Sequence, residues 1–286
     1  MSNVLLLGGS GFLGKELLCK LSKENFKIKT MIHRKKIPNS IITFKGNILK
    51  KESLEKKIEN RDIIINLVGQ YHGNLSKFID LNIKGGINLL ESSLKKKNVR
   101  IILISTISVY GENLKKPSKE NDELLPQNPY GLIKKVIEKI YQNYASQFGL
   151  NITILRLSNL YGSNKKIGFI GNIRNSIKKN QKIILNHNGN QYRDFIYIDD
   201  AVDGIIKVIK KNKKGFHIYN ISSGKRYMLK NIVKKISTIS QTKPKIIFSS
   251  STPDERCIWA NNTKAANAFG FKPQITIEEG LKRLIK

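Results

Sequence analysis

The segment Val4-Leu5-Leu6-Leu7-Gly8-Gly9-Ser10-Gly11-Phe12-Leu13-Gly14 constrains this chain more than any other. A four-residue apolar run ends in a glycine-rich turn, and the turn opens into Lys15–Leu21, whose apolar residues recur at helical spacing. In a strand–turn–helix, glycines permit the tight turn, let backbone N–H groups approach a pyrophosphate and allow the helix to pack closely on the strand. The emerging helix directs its partial positive end at the phosphates. Gly9-x-Gly11-x-x-Gly14 and Gly8-x-x-Gly11-x-x-Gly14 are both present in the same letters. A dinucleotide-binding unit is therefore expected at the start of the chain.

Similar apolar runs recur at Ile28–Ile32, Ile63–Val68, Ile101–Ser105 and Ile152–Leu157, separated by helix-patterned or polar stretches. That alternation predicts an α/β fold, a Rossmann-like doubly wound parallel sheet whose strands are apolar because both faces are covered. Ligands of such sheets collect at the carboxyl ends of the strands. From about Tyr161 the pattern loosens around Gly162-Ser163-Asn164, Gly168, Gly171 and His187-Asn188-Gly189-Asn190. The expected organisation is a dinucleotide-binding domain over 1–162 and a smaller, interlaced substrate-binding domain over 163–286. Residues 192–222 are expected to return to the first.

Composition narrows the function classes. No apolar run approaches the length of a membrane span, and Val4–Leu7 is too short for a signal-peptide core. Cys19 and Cys257 show no metal or redox spacing. A cytoplasmic protein without a metal centre is expected. The 286 residues include 52 basic and 21 acidic side chains, net +31. Nucleic acid would explain such a charge, but the basic runs are short, scattered and free of interleaved aromatics. They read as lysine-rich drift, with no membrane and no specific nucleic acid as partner. An anionic substrate would still be attracted.

Tyr130 and Lys134 stand four residues apart in Asn128-Pro129-Tyr130-Gly131-Leu132-Ile133-Lys134. Proline before a helical pattern is a start signal, and Ile133, Ile137, Ile140 and Tyr144 supply the apolar stripe. Tyr130 and Lys134 thus share a helix face. A nearby ammonium favours the phenolate and makes tyrosine a usable acid or base. Thr106 ends the fourth apolar run, within Ser105-Thr106-Ile107-Ser108-Val109-Tyr110-Gly111, where it can face a cofactor.

The glycine turn, the Ser/Thr block ending in Val-Tyr-Gly and the Tyr-x-x-x-Lys block resemble the extended short-chain dehydrogenase/reductase family, the NAD(P)-dependent epimerases, dehydratases and reductases of nucleotide sugars. Leu155–Gly162, Gln191–Asp200, Tyr219–Gly224 and Gly270–Pro273 resemble its later landmarks, so the resemblance runs from Val4 to about Lys282. It implies a catalytic triad of Thr106, Tyr130 and Lys134. It implies cofactor contacts from Gly8, Gly11, Phe12, Leu13, Gly14, Asn47, Ile48, Leu67, Val68 and Gly69, together with Tyr130 and Lys134. For a nucleotide-diphosphate sugar it implies Thr106, Asn159 and Arg193, with Arg256 as a second phosphate contact.

Some positions depart from the family pattern. The second run ends in His33-Arg34-Lys35-Lys36, where members that prefer NAD usually offer a carboxylate to the ribose 2′-hydroxyl. NADP(H) is therefore favoured over NAD(H), with Arg34 meeting the 2′-phosphate. Asn47 replaces an aspartate, and Val68 is bulkier than the alanine expected there. The segment after Thr106 lacks the Asp-Glu pair of the sugar 4,6-dehydratases, and the cysteine of the fucose-forming epimerase-reductases. The reading is hydride transfer at C4 of a nucleotide hexose, a 4-ketoreductase ahead of a 4-epimerase. Alternatives of other classes are a non-catalytic cofactor-binding scaffold or redox-sensing subunit, favoured only by Val68-Gly69, and a nucleic-acid module, favoured by charge alone. A homodimer is expected through the helices over 129–148 and 75–97, whose Leu132, Val136, Tyr141, Phe78, Leu81 and Leu89 exceed one buried stripe.

Overall fold

The computed structural model describes residues 2–32, 41–69, 74–163, 168–211, 213–249 and 257–285, with His187 described by its backbone alone. Seven parallel strands form the main sheet: β1 (Ser2–Leu7), β2 (Phe26–Ile32), β3 (Ile42–Lys45), β4 (Ile63–Asn66), β5 (Arg100–Thr106), β6 (Asn151–Leu157) and β7 (Phe216–Ile221). Their order across the sheet is β7-β6-β5-β4-β1-β2-β3. The order reverses beside β1, and ligands of open parallel sheets bind at such a reversal. The five apolar runs became β1, β2, β4, β5 and β6. The edge strand β3 carries a weaker sequence signal because it is covered less: its Ile42 is 58% exposed.

Alternation along β1 shows why the fold needs two helical layers. Val4 and Leu6 enter one core with Leu17, Leu21, Val202 and Ile205. Leu5 and Leu7 enter the other with Leu89, Leu90, Ile137 and Tyr141. Truncating any of these leucines to alanine costs about 2–5 kcal/mol, the transfer term plus the cavity it leaves. Helices α1 (Phe12–Leu21) and α4 (Ile198–Lys211) cover the first face; α2 (Gly85–Leu94) and α3 (Pro129–Phe148) cover the second. The helix leading into α2 begins at Leu75–Ile79 and passes through a π-helical turn at Asp80–Lys84.

Helix α3 follows from local signals. Asn128 accepts the N–H of Gly131 at 2.8 Å and Pro129 occupies the first turn. Gly149, at φ 68°, ends the helix and donates to the carbonyl of Ala145 at 3.1 Å. A left-handed residue there satisfies a terminal carbonyl without a side-chain penalty.

Within residues 192–222, β7 and α4 belong to the main sheet and its cover. Tyr192–Arg193 instead joins a three-stranded sheet with Tyr227–Met228 and Cys257–Ile258. Asn159–Tyr161 pairs with Phe195–Tyr197, and Ile183–Asn186 with Ile246–Ser249. In chain order, Asn159–Tyr161 and the helix Phe169–Lys178 follow the carboxyl end of β6, and Tyr227–Met228 and the helix Leu229–Ile239 follow that of β7.

Candidate active site

The turn after β1 is closed by backbone alone. The N–H of Gly11 donates to the carbonyl of Gly8 at 3.1 Å, and Gly11 caps α1 with no side chain. A Cβ on Gly14 would lie 2.4 Å from Gly8 O and 2.7 Å from Gly9 Cα, so the first helical turn sits directly on the loop. Phe12, Leu13 and Gly14 therefore stand in that first turn, beside the bare N-terminus. A Cβ on Gly8 would meet the backbone of Leu67 and Val68 at 3.1–3.3 Å, which brings Leu67, Val68 and Gly69 beside the turn. This cradle fits a dinucleotide pyrophosphate: its amides are accessible only because no side chain fills the space. Asn47 Oδ1 accepts the N–H of Leu49 at 3.0 Å, which leaves one lone pair for an adenine amino group. Ile48 is a core side chain. Arg34 and Arg256 lie outside the described residues.

Thr106 ends β5, and its Oγ1 accepts the N–H of Ser108 at 3.2 Å as the strand turns over. Tyr130 arrives from the first turn of α3, and Gly131 lets it come close: a Cβ there would lie 2.5 Å from Ser108 O. The phenol is hydrogen-bonded with Thr106, and its ring stacks on Phe78 at 5.6 Å between centroids. Lys134 is 4% exposed and donates to the carbonyl of Ile104 at 3.2 Å. The structure thus gathers Thr106, Tyr130 and Lys134 at the carboxyl end of β5.

The ionisation differs from expectation. Burial pushes the Tyr130 phenol up, and its bond with Thr106 opposes this. Burial pushes the Lys134 ammonium down to about 8, with the Glu138 carboxylate opposing. Desolvation is the larger effect, so the phenol stands above its ordinary value rather than below it.

Beneath the triad lies a buried polar chain that sequence reading missed. Glu138 accepts from Ser105 and from Arg156, whose Nη2 lies 2.7 Å away. Arg156 also donates to Tyr110 Oη at 2.8 Å and to the carbonyl of Glu120 at 3.2 Å. Tyr110 donates to Asn220 Oδ1 at 2.8 Å. The available signals were an arginine inside the apolar run Ile152–Leu157 and an acid one turn beyond Lys134. A charge in a doubly covered strand requires a buried partner.

At the substrate end, Asn159 follows β6 and donates its N–H and Nδ2 to the carbonyl of Asp194, at 2.9 and 3.0 Å. Asn159 and Arg193 are thereby brought to one place, and Arg193 Nη1 donates to the carbonyl of Tyr192 at 2.9 Å. The Asp194 carboxyl is fully buried, which pushes its pKa up to about 6, while Ser223 donates to it from backbone and side chain. Asp194 was also missed. Its burial depends on the loop after β7, far away in sequence.

A backbone phosphate cradle at β1 and a Thr–Tyr–Lys cluster at β5 define a short-chain dehydrogenase/reductase of the extended type. The model of the NAD dependent epimerase/dehydratase family matches residues 4–222, and the chain belongs to that family. It is 26% identical to the bifunctional UDP-glucose 4-epimerase and UDP-xylose 4-epimerase 3 of Arabidopsis thaliana, over 97% of this chain and 92% of that protein. It is 25% identical to the human dTDP-D-glucose 4,6-dehydratase, over 99% of this chain and 89% of that one. Among solved structures it resembles the UDP-glucose 4-epimerase of Thermotoga maritima with UDP-glucose, at TM-score 0.89 and 25% identity, covering 99% and 97% of the two chains.

Proposed function

We propose that this enzyme inverts C4 of a nucleotide-diphosphate hexose through a 4-keto intermediate, with a nicotinamide dinucleotide held on the Gly8–Gly14 turn. The observation that carries the reading is the Thr106–Tyr130–Lys134 cluster at the carboxyl end of β5. The similarity to 4-epimerases over nearly the whole chain supports it. Ile107 and Ser108 stand where a 4,6-dehydratase would need its acid pair, which disfavours that chemistry.

The bound nicotinamide supplies the hydride acceptor and donor. Tyr130 removes the proton from the C4 hydroxyl and later returns one to the C4 oxygen. Thr106 hydrogen-bonds the same oxygen and holds it against the phenol. Lys134 binds the nicotinamide ribose, and its charge eases ionisation of a phenol that burial has made a weak acid. Arg193 and Asn159, with Arg256, hold the nucleotide diphosphate, so that binding energy remote from C4 orients the reacting carbon. A guanidinium can fork onto phosphate oxygens.

A 4-ketoreductase is the second reading, favoured by His33-Arg34-Lys35-Lys36, a basic run suited to the 2′-phosphate of NADPH. One experiment separates the two. Purified protein is given UDP-glucose, UDP-galactose and 4-keto nucleotide sugars, with each cofactor followed by absorbance. Interconversion without net cofactor consumption supports the epimerase. Stoichiometric NADPH oxidation with a 4-keto sugar supports the reductase, and no turnover with any of them rejects both. Arg34→Ala should weaken NADPH binding by about tenfold or more and leave NADH nearly unchanged; equal losses would remove Arg34 as the selector.

The proposed assembly is a homodimer through α3 and the helix preceding α2. Leu132, Val136, Leu75 and Ile79 are 52%, 39%, 43% and 38% exposed. Tyr141, Phe78 and Leu89, expected to be surplus apolar surface, are instead buried in the chain's own core.

A further inference from the structure

Helix α3 carries one buried carboxylate that the reaction above leaves without a task. Glu138 is 3% exposed, one turn beyond Lys134 and two beyond Tyr130 on the same face. Ser105 Oγ donates to its Oε1, while Arg156 donates to Oε2 from Nε at 3.0 Å and from Nη2 at 2.7 Å. The groups facing this carboxylate are therefore Ser105 from β5, Arg156 from β6 and Lys134 from its own helix. Tyr110 and Glu120 stand behind Arg156.

Stability alone does not account for this arrangement. Removing a carboxylate and a guanidinium from water costs several kcal/mol per ion, and a packed apolar pair in their place is often as stable or more so. What an apolar pair lacks is direction. Arg156 and Ser105 are register partners across β5 and β6, and Ser105 is the residue before Thr106. One carboxylate thus grips both strands at the level of the catalytic hydroxyl, from the helix that carries the phenol. A slide or roll of α3 by about an ångström would break at least one of these bonds, whose lengths and angles are narrowly limited. Misplacement on that scale is enough to cost up to about a hundredfold in rate.

We propose that Glu138 is a positioning residue: by binding Ser105 and Arg156 together it fixes the carboxyl ends of β5 and β6 against α3, and so sets the contact between Thr106 and Tyr130. The rate consequence rests on the proton-transfer role of Tyr130 proposed above; the geometric claim does not.

The cleanest variant is S105A, which removes the tie to β5 and leaves the Glu138–Arg156 ion pair intact, so the fold is kept. S105T restores a hydroxyl at the same place. E138Q leaves Arg156 without its counter-charge and is informative only in comparison. Two readouts are used on the full-length chain. The first is steady-state kinetics: S105A lowers kcat by about tenfold or more while KM for the nucleotide sugar stays within about twofold, and S105T recovers most of the rate. The second needs no turnover. The near-ultraviolet phenolate absorbance of Tyr130, isolated by difference from Y130F, titrates at higher pH in S105A than in wild type, because the loosened Thr106 no longer opposes the effect of burial. S105T titrates as wild type does. An unmoved Tyr130 titration in S105A overturns the proposal whatever the kinetics, as does an S105T variant that shifts as far as S105A. Wild-type protein that turns over no nucleotide sugar would defeat the proposed function, and the phenol titration would still decide the role of Glu138.

Discussion

The glycine turn after β1 and the polar chain under α3 stand at the same edge of one sheet and are built in opposite ways. The turn acts through what it lacks: no side chain at Gly11 or Gly14, so the backbone at the helix N-terminus is left bare and the helix sits on the loop. The chain under α3 acts through what it holds, with Ser105, Glu138, Arg156 and Tyr110 bonded in sequence and nearly free of water. The first is a steric device with no room for an added atom at Gly14; the second is electrostatic and works through partners held in place. A binding site for a charged cofactor can be made of neutral backbone. Proton transfer at one oxygen needs ionisable groups held in register.

Substitutions on the two sides should therefore fail differently. The largest effect is expected from Tyr130→Phe, which should lower kcat by about 10²-fold or more with cofactor affinity nearly intact. A variant that keeps more than about a tenth of the rate would remove Tyr130 as the acid and base.

Lys134→Met comes next, and its sign is opposite for stability and activity. The folded-state pKa is depressed to about 8 from 10.5, so between those values the unfolded chain holds more protons than the folded one. Wild-type stability therefore rises with pH across that window, and the full penalty of the buried ammonium is present below about pH 8. At pH 7 the methionine variant should be more stable by about 1–3 kcal/mol, with turnover lost. Denaturant melts at several pH values check this, and the gap should close toward pH 10.5. A gap independent of pH would mean that packing, not charge, is responsible.

Gly14→Ala tests the other side. Its Cβ would press on Gly8 O and Gly9, both backbone atoms that cannot swing away. Overpacking of this kind costs about 1–3 kcal/mol, which should appear mainly as about ten- to a hundredfold weaker cofactor binding, measured by fluorescence titration. Unchanged affinity would show that the loop is looser than its contacts imply. The smallest effect lies on the exposed face of α3, away from the polar chain: Leu132→Ser with Val136→Ser should shift the mass from dimer to monomer in light scattering and leave the melting temperature nearly unchanged. A wild-type monomer at micromolar concentration would rule out the dimer.

The contrast also sorts what could be read from the letters. Glycine spacing after an apolar run announces its mechanics directly, because the constraint is local and steric. Thr106, Tyr130 and Lys134 were legible as a set through the family resemblance of their two blocks, and the helical spacing put the last two on one face. Glu138 and Arg156 were not, because a charged residue in a window of 18 carries no sign of which distant partner it will meet, and this chain has many lysines to confuse the count.

Chain-local physics, then, decided the five inner strands of the main sheet, the Gly8–Gly14 turn, the start of α3 and the shared face of Tyr130 and Lys134, since each depends on sterics and periodicity within a few residues. Tertiary structure alone decided that Arg156 meets Glu138 across 18 residues and that Asn159 is held by Asp194 across 35. It also made Tyr141, Phe78 and Leu89 core rather than interface, and turned Lys134 into a weak base and Tyr130 into a weaker acid. The reason is common to all of these: burial and partnership are properties of the packed neighbourhood, and desolvation acts only after distant segments have excluded the water.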